Sequence, residues 1–219
     1  MTLNKALLPV AIILLASCST TPTPQSSAPQ SSTLQLREAA SVSTNPTELL
    51  TSSSSPSTTL GNPNAPTQIT VFHDTNCGMC RKMWREVVNG SLKDPIARGE
   101  VAYRFVEFPL GLAVNSSAVS IAAKCAGEQG KFRAFLDATY STKGEHGEQD
   151  LTMLAEKSGT DISKLNECLN SGRAKAAAKL DIAMGNALGV QGTPTFYING
   201  SELKGNWTEA ETWSGLQIK

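Results

Sequence analysis

The chain has few of the residues that a metal site or a nucleic-acid surface needs. Only two histidines occur, His73 and His146, far apart in sequence, which argues against a histidine-rich metal site. Acidic and basic residues number 19 each and there is no long basic run. The electrostatic footprint of a nucleic-acid binder is therefore missing, and neither a polyanionic partner nor an anionic membrane surface is favoured. No apolar run approaches the ~20 residues of a mature membrane-spanning helix. What is present is 40% hydrophobic and 17% charged residues in a chain of 219, a globular composition sized for one or two domains.

The N-terminus carries the longest apolar stretch. Residues Ala6 to Ala16 follow the single charge of Lys5 and run into Ser17 and Cys18. That length suits the hydrophobic region of a signal peptide. Leu15-Ala16-Ser17-Cys18 looks like a bacterial lipobox, which implies cleavage before Cys18 and its acylation, with residues 1–17 as the leader; an ordinary secretory leader with an incidental cysteine is the alternative. Lipid on Cys18 would hold the protein at a membrane outside the cytoplasm, each buried CH₂ contributing ~0.8 kcal/mol. Residues 18–59 are rich in Ser, Thr, Pro and Gln and read as a disordered tether, with a short helix possible near Leu34 to Ala40.

A folded domain is expected over residues 60–219. Gly61 to Pro66 is turn-rich, Gln68 to Phe72 and Val101 to Phe108 read as strands, and Thr195 to Ile198 reads as a third. Asn199-Gly200 would turn this third strand into a short fourth, Glu202 to Lys204. Between the second and third strands, about residues 110–188, helices are predicted at Ser116 to Ala126, Lys131 to Tyr140, Leu151 to Ser158, Ile162 to Asn170 and Ala174 to Leu188. Asp161 is a candidate N-cap, and Gly172 and Gly189 candidate terminators. Phe132, Phe135 and Tyr140 read as core, Trp207 and Trp213 as packing a short final helix, and the lysines and glutamates of the insertion as solvated faces. The pattern predicts an α/β sheet with a helical insertion.

The chemistry is concentrated at Cys77-Gly78-Met79-Cys80, just after the first strand, where Met79, Met83, Trp84, Val87 and Val88 form a helical stripe. A cysteine at a helix N-terminus meets unpaired N–H groups and the positive end of the dipole, which favour its thiolate. The thiolate is the attacking species in disulfide exchange. A second cysteine three residues on shares its helix face and can close a disulfide. Half a zinc site is one alternative, but Cys125 and Cys168 have no nearby Cys or His to complete it. An inert disulfide is the other. With Cys18 set aside, four cysteines remain in an exported chain, and four allow three pairings.

Thr193-Pro194 opens the third strand. With the upstream cysteine pair it resembles the cis-proline loop of thioredoxin-fold enzymes. Phe72 to Cys80, Ala123 to Ala126, Gln129 to Phe132 and Leu188 to Gly200, together with Gly61 to Pro66, resemble the DsbA-like family and lie in its order along the domain. The resemblance implies a thioredoxin fold with a helical insertion between the second and third core strands. It implies dithiol–disulfide exchange outside the cytoplasm, with Cys77 attacking and the buried Cys80 resolving, and a loop at Thr193 and Pro194 that lies beside the cysteines and pairs with a bound peptide. A second, structural disulfide between Cys125 and Cys168 is implied by some relatives; two buried free thiols are the alternative.

Relatives often have an acidic residue six before the first cysteine, where this chain has Val71; His73, Asp74 or water could take that part. His73 otherwise reads as a packed strand-end residue and Asp74 as a loop or cap residue. The intervening Gly78-Met79 pair lacks a histidine, so the disulfide should be less oxidising than that of the strongest family oxidants. The partners implied are thiols or disulfides of exported proteins and a membrane protein that reoxidises or reduces the cysteine pair, with the chain a monomer that uses no cofactor and no metal. A reductase or isomerase with the same residues, a surface lipoprotein that only binds, and a metal chaperone are the competing functions.

Overall fold

The computed structural model describes residues 56–110 and 116–216, together with Asn45, Glu48 and Leu50. Cys18, the leader and the helix expected near Leu34 to Ala40 lie outside the described residues. Among the described residues the strands are Thr59–Gly61 (β1), Thr67–His73 (β2), Val101–Glu107 (β3), Thr195–Ile198 (β4) and Ser201–Glu202 (β5), joined in one sheet of order β1-β3-β2-β4-β5. β2 and β3 run parallel; the other pairings are antiparallel.

The two central strands are nearly continuous apolar runs because both of their faces are covered. Ile69, Val71, Tyr103 and Phe105 point into one cluster, and Phe72, Val106 and Phe108 into a second on the other side. Full burial of each such side chain contributes about 1.5–3 kcal/mol. The β2–β3 crossover is the helix Gly78–Met83 (α1), a π-helical stretch Trp84–Ser91 that kinks at Gly90, and the short helix Lys93–Ala97 (α2). The insertion between β3 and β4 comprises Ser116–Glu128 (α3), Phe132–Ser141 (α4), Leu151–Ser158 (α5), Ile162–Ser171 (α6) and Arg173–Ala187 (α7). Ala210–Ser214 (α8) ends the described chain and buries Trp213 against Phe196, ring centroids 5.1 Å apart.

Caps follow local chemistry. Asp161 accepts from the amide of Lys164 at the start of α6, and Gly172 ends it in the left-handed region at φ 72°. The β4–β5 turn holds Asn199 and Gly200 at positive φ.

Several expectations need correction. β5 starts at Ser201, because a two-residue turn sets Ile198 directly opposite Ser201. β1 is unexpected, since Thr59 falls in the stretch read as tether and Gly61 in the one read as turn: it is only three residues long and has little apolar signal, yet Leu60 lies opposite Tyr103. Gly61 is required there, since a Cβ would sit 2.1 Å from the Val101 carbonyl oxygen. Leu50, within the stretch read as tether, is buried in the second cluster. Met79 belongs to no buried stripe; it is exposed in the first turn of α1, while Met83, Trp84, Val87 and Val88 are buried. Lys124 is buried rather than solvated, 2.5 Å from Asp181.

Candidate active site

β2 ends at His73, and the turn Asp74 to Asn76 delivers Cys77 to the N-cap of α1. The turn is held by the Asp74 carboxylate, which accepts from the amide of Asn76 at 2.8 Å. Cys77 is partly exposed and Cys80, one turn along, is wholly buried; both are free thiols here. The Thr193–Pro194 bond is cis, and the Thr193 carbonyl oxygen lies 3.4 Å from the Cys77 Sγ, which donates to it as a thiol. The chain thus brings residues 77, 80, 193 and 194 to one place from opposite ends of the domain.

The two sulfurs are driven apart electrostatically. The Cys77 thiol is lowered to about 5, first by a hydrogen bond from Cys80, then by Thr193 and the backbone N–H groups of Cys80 and Met79, all against the opposing effect of burial. Burial comes first in pushing Cys80 well above the usual thiol range, followed by its bond to Cys77 and the charge there. The amide of Asp74 donates to the Cys80 sulfur at 3.5 Å. Near neutrality this arrangement gives one accessible thiolate beside one protonated thiol. Such a pair can open a disulfide in a partner and then close on itself.

A loop after α4 is fastened to this turn. Asn76 donates to the His146 carbonyl at 2.9 Å and accepts from the His146 amide at 3.0 Å. Arg81 spreads its guanidinium over the carbonyls of Tyr140, Thr142 and Gly144. The buried His146 ring contacts the Thr139 carbonyl at 3.1 Å and lies 3.8 Å from Asp150. Sequence reading missed Asn76 and Arg81, and no signal in the sequence marks them, because their partners are backbone atoms some 60 to 70 residues away.

Behind the sulfurs lies a buried polar group. His73 Nδ1 is 3.2 Å from the Tyr140 hydroxyl, and its Nε2 is 3.6 Å from Glu107. Asp181 of α7 accepts from the Glu107 amide at 3.0 Å and pairs with Lys124 of α3. Glu107 was also overlooked, although a carboxylate at the end of an apolar strand was a visible signal. In the insertion, Cys125 of α3 and Cys168 of α6 form a disulfide, Cα–Cα 5.7 Å. Among the described residues no cluster of three or more His, Cys, Asp or Glu could hold a metal ion, and no helix is long and apolar enough to cross a membrane.

Comparison with known proteins agrees with this arrangement. The family model described as Thioredoxin matches residues 53–217. A probable disulfide bond formation protein D of Bacillus anthracis is 29% identical over 151 residues, covering 65% of this chain and 69% of that protein. A thioredoxin-like oxidoreductase from Silicibacter pomeroyi DSS-3 superposes with TM-score 0.62 at 28% identity, over 72% of this chain and 88% of that one. Oxidised BdbD from Bacillus subtilis shares the fold, with TM-score 0.63 at 20% identity over 72% and 89% of the two chains. The chain belongs to the thioredoxin family and, within it, to the DsbA-like thiol–disulfide oxidoreductases.

Proposed function

We propose that this protein forms or exchanges disulfides in exported proteins through a Cys77–Cys80 dithiol/disulfide. The observation that carries the reading is the opposed tuning of the two sulfurs, one accessible and acidic, the other buried and not. In the oxidising direction a substrate thiolate attacks Cys77 Sγ. The Cys77–Cys80 bond breaks and its electron pair goes to Cys80. A second substrate thiolate then attacks the substrate sulfur of the mixed disulfide, and Cys77 leaves as thiolate. The substrate has lost two electrons and the enzyme has gained them. Stabilising the Cys77 thiolate stabilises the dithiol form, which favours this direction over reduction.

The peptide-facing edge would be the Thr193–Pro194 loop beside Cys77, with the exposed Met79 adjacent. A membrane redox partner restores the disulfide. Lipid on Cys18 and the polar segment after it would keep the enzyme at the extracytoplasmic face of a membrane while letting it reach its substrates. The Bacillus relative bears the name of a disulfide bond formation protein, which supports this reading.

Redox titration of the pair is the test. A potential well above the roughly −270 mV of thioredoxin, toward the roughly −120 mV of a strong oxidant, is expected; a value at or below thioredoxin's makes the protein a reductase. In parallel, Cys77→Ser should abolish disulfide exchange and Cys80→Ser should accumulate mixed disulfides. Undiminished exchange by Cys77→Ser would refute the assignment.

A further inference from the structure

Asn76 and Arg81 stand immediately before and immediately after the Cys77–Cys80 motif. Both reach the same stretch of chain, residues 140–146, the end of α4 and the loop that follows it. Asn76 holds His146 by both backbone groups, donating to the carbonyl at 2.9 Å and accepting from the amide at 3.0 Å. Arg81 donates to the carbonyls of Tyr140 at 3.2 Å, Thr142, and Gly144 at 2.8 Å. One loop therefore spans the motif and is gripped on either side of it.

The loop is itself held in place. Thr142 Oγ1 donates to the Ala138 carbonyl at 2.9 Å and accepts from Lys157 of α5 at 3.3 Å. The His146 ring is buried against the Thr139 carbonyl, and the amide of Gly147 donates to Asp150 at 2.9 Å. Little packs on the outer side of the motif: Met79 is 45% exposed, and a Cβ on Gly78 would meet nothing within 4 Å. Cys80, in contrast, is fixed in the core, so Cys77 is the sulfur that has to travel.

We propose that residues 140–146 are a splint across the motif, and that Asn76 and Arg81 are positioning residues for the resolving step, holding the backbone from 76 to 81 still so that the redox cycle is a rotation of the Cys77 side chain. The inference rests on reading Cys80 as the resolving cysteine. In that step the Cys80 thiol gives its proton to solvent and its sulfur attacks Cys77 Sγ of a mixed disulfide. The Cys77–Cys80 bond forms, the bond from Cys77 to the substrate breaks, and the substrate sulfur leaves with the electron pair. The two cysteine sulfurs must close from van der Waals contact to about 2.05 Å. With the chain fixed at 76 and 81 this approach takes one side-chain torsion, and the reacting atoms stay within reach of each other. With either grip released, the open outer side lets the motif backbone move, and Cys77 spends part of its time away from Cys80.

The test mixes reduced protein with excess dithiobis(nitrobenzoate) in stopped flow. One thionitrobenzoate appears as Cys77 attacks and a second as Cys80 closes; the second phase is read. Asn76→Ala and Arg81→Gln should each slow it about tenfold. Arg81→Lys keeps the charge but loses the planar fork, and should recover only part of the loss. A folded Asn76→Ala protein that closes at the wild-type rate overturns the proposal. So does full recovery in Arg81→Lys, which would assign the effect to charge. Cys80→Ser is the control: a normal second phase there ends the resolving role of Cys80, whereas its loss beside a normal Asn76→Ala ends the splint alone. Should the variants not fold, hydrogen exchange of the wild-type protein decides. Measured against the amides of β3, those of Arg81 and His146 should be equally protected in the oxidised and reduced forms. A difference of more than about tenfold between the forms overturns the splint.

Discussion

The Sγ of Cys77 and the carbonyl oxygen of Thr193 lie 3.4 Å apart across 116 residues of chain. The contact joins the helix that follows β2 to the loop that opens β4. It exists because β4 pairs with β2, so that Thr195 lies opposite Phe72 and the residues flanking both strands meet at one end of the sheet.

A Cys77 group lowered to about 5 should be alkylated by iodoacetamide at a rate that climbs through pH 5 and is level by pH 7. An unperturbed thiol would climb near pH 8.5 instead, and that curve would remove the basis for a reactive cysteine here.

The same ionisation links stability to pH. Cys77 has a lower value folded, about 5, than the 9.0 of an ordinary thiol, so between these the unfolded chain binds a proton that the folded dithiol protein does not. Stability from this group is therefore fully present above 9 and lost as pH falls through 5. Denaturant titrations of the reduced form should show unfolding free energy rising with pH across that window relative to the oxidised form, in which Cys77 does not titrate. A pH-independent difference between the two forms would contradict it.

Asn76→Ala removes both hydrogen bonds to the backbone of residue 146. Each bond contributes about 0.5–1.5 kcal/mol, and the amide of His146 loses its partner. Hydrogen exchange at residues 144–147 should accelerate at least tenfold, with the central strands unchanged. Unaltered protection at His146 would show that Arg81 alone holds this loop.

Replacing Cys125 and Cys168 together by Ala opens a loop with a sequence separation of 43. Chain entropy predicts a loss of about 3–4 kcal/mol in unfolding free energy. Cys77 should keep its alkylation profile, because the bridge ties α3 to α6 within the insertion. A loss below about 1 kcal/mol would mean that helix packing alone supports this region.

Much of the fold was legible because its strands and helices carry strong periodicity. The runs at Gln68 to Phe72 and Val101 to Phe108, and the aromatic face of Phe132, Phe135 and Tyr140, announce what they pack against. β1 was not legible: its place depends on pairing with Tyr103 and Arg104 of β3, a long-range condition that three residues cannot signal. At the site, the cysteine pair and Thr193-Pro194 were readable as local patterns. The partners behind them were not. Tyr140 reads as core because its ring is core, packed with its centroid 5.5 Å from that of Trp84, and only its hydroxyl turns to His73. Lys124 reads as solvated on an Ala-rich helix, and its burial becomes sensible only once Asp181 arrives from α7.

Asp181 also sets limits on how the insertion can vary. One carboxylate grips the amide of Glu107 and the ammonium of Lys124, so the rotational phase of α7 is locked to the end of β3. Each residue of an α-helix advances about 100°. Lengthening the chain between α4 and α6 leaves that phase alone, but adding or deleting one residue between Arg173 and Asp181 swings the carboxylate away from both partners. Length variants of this domain should therefore be tolerated in its outer loops and refused inside the first turns of α7.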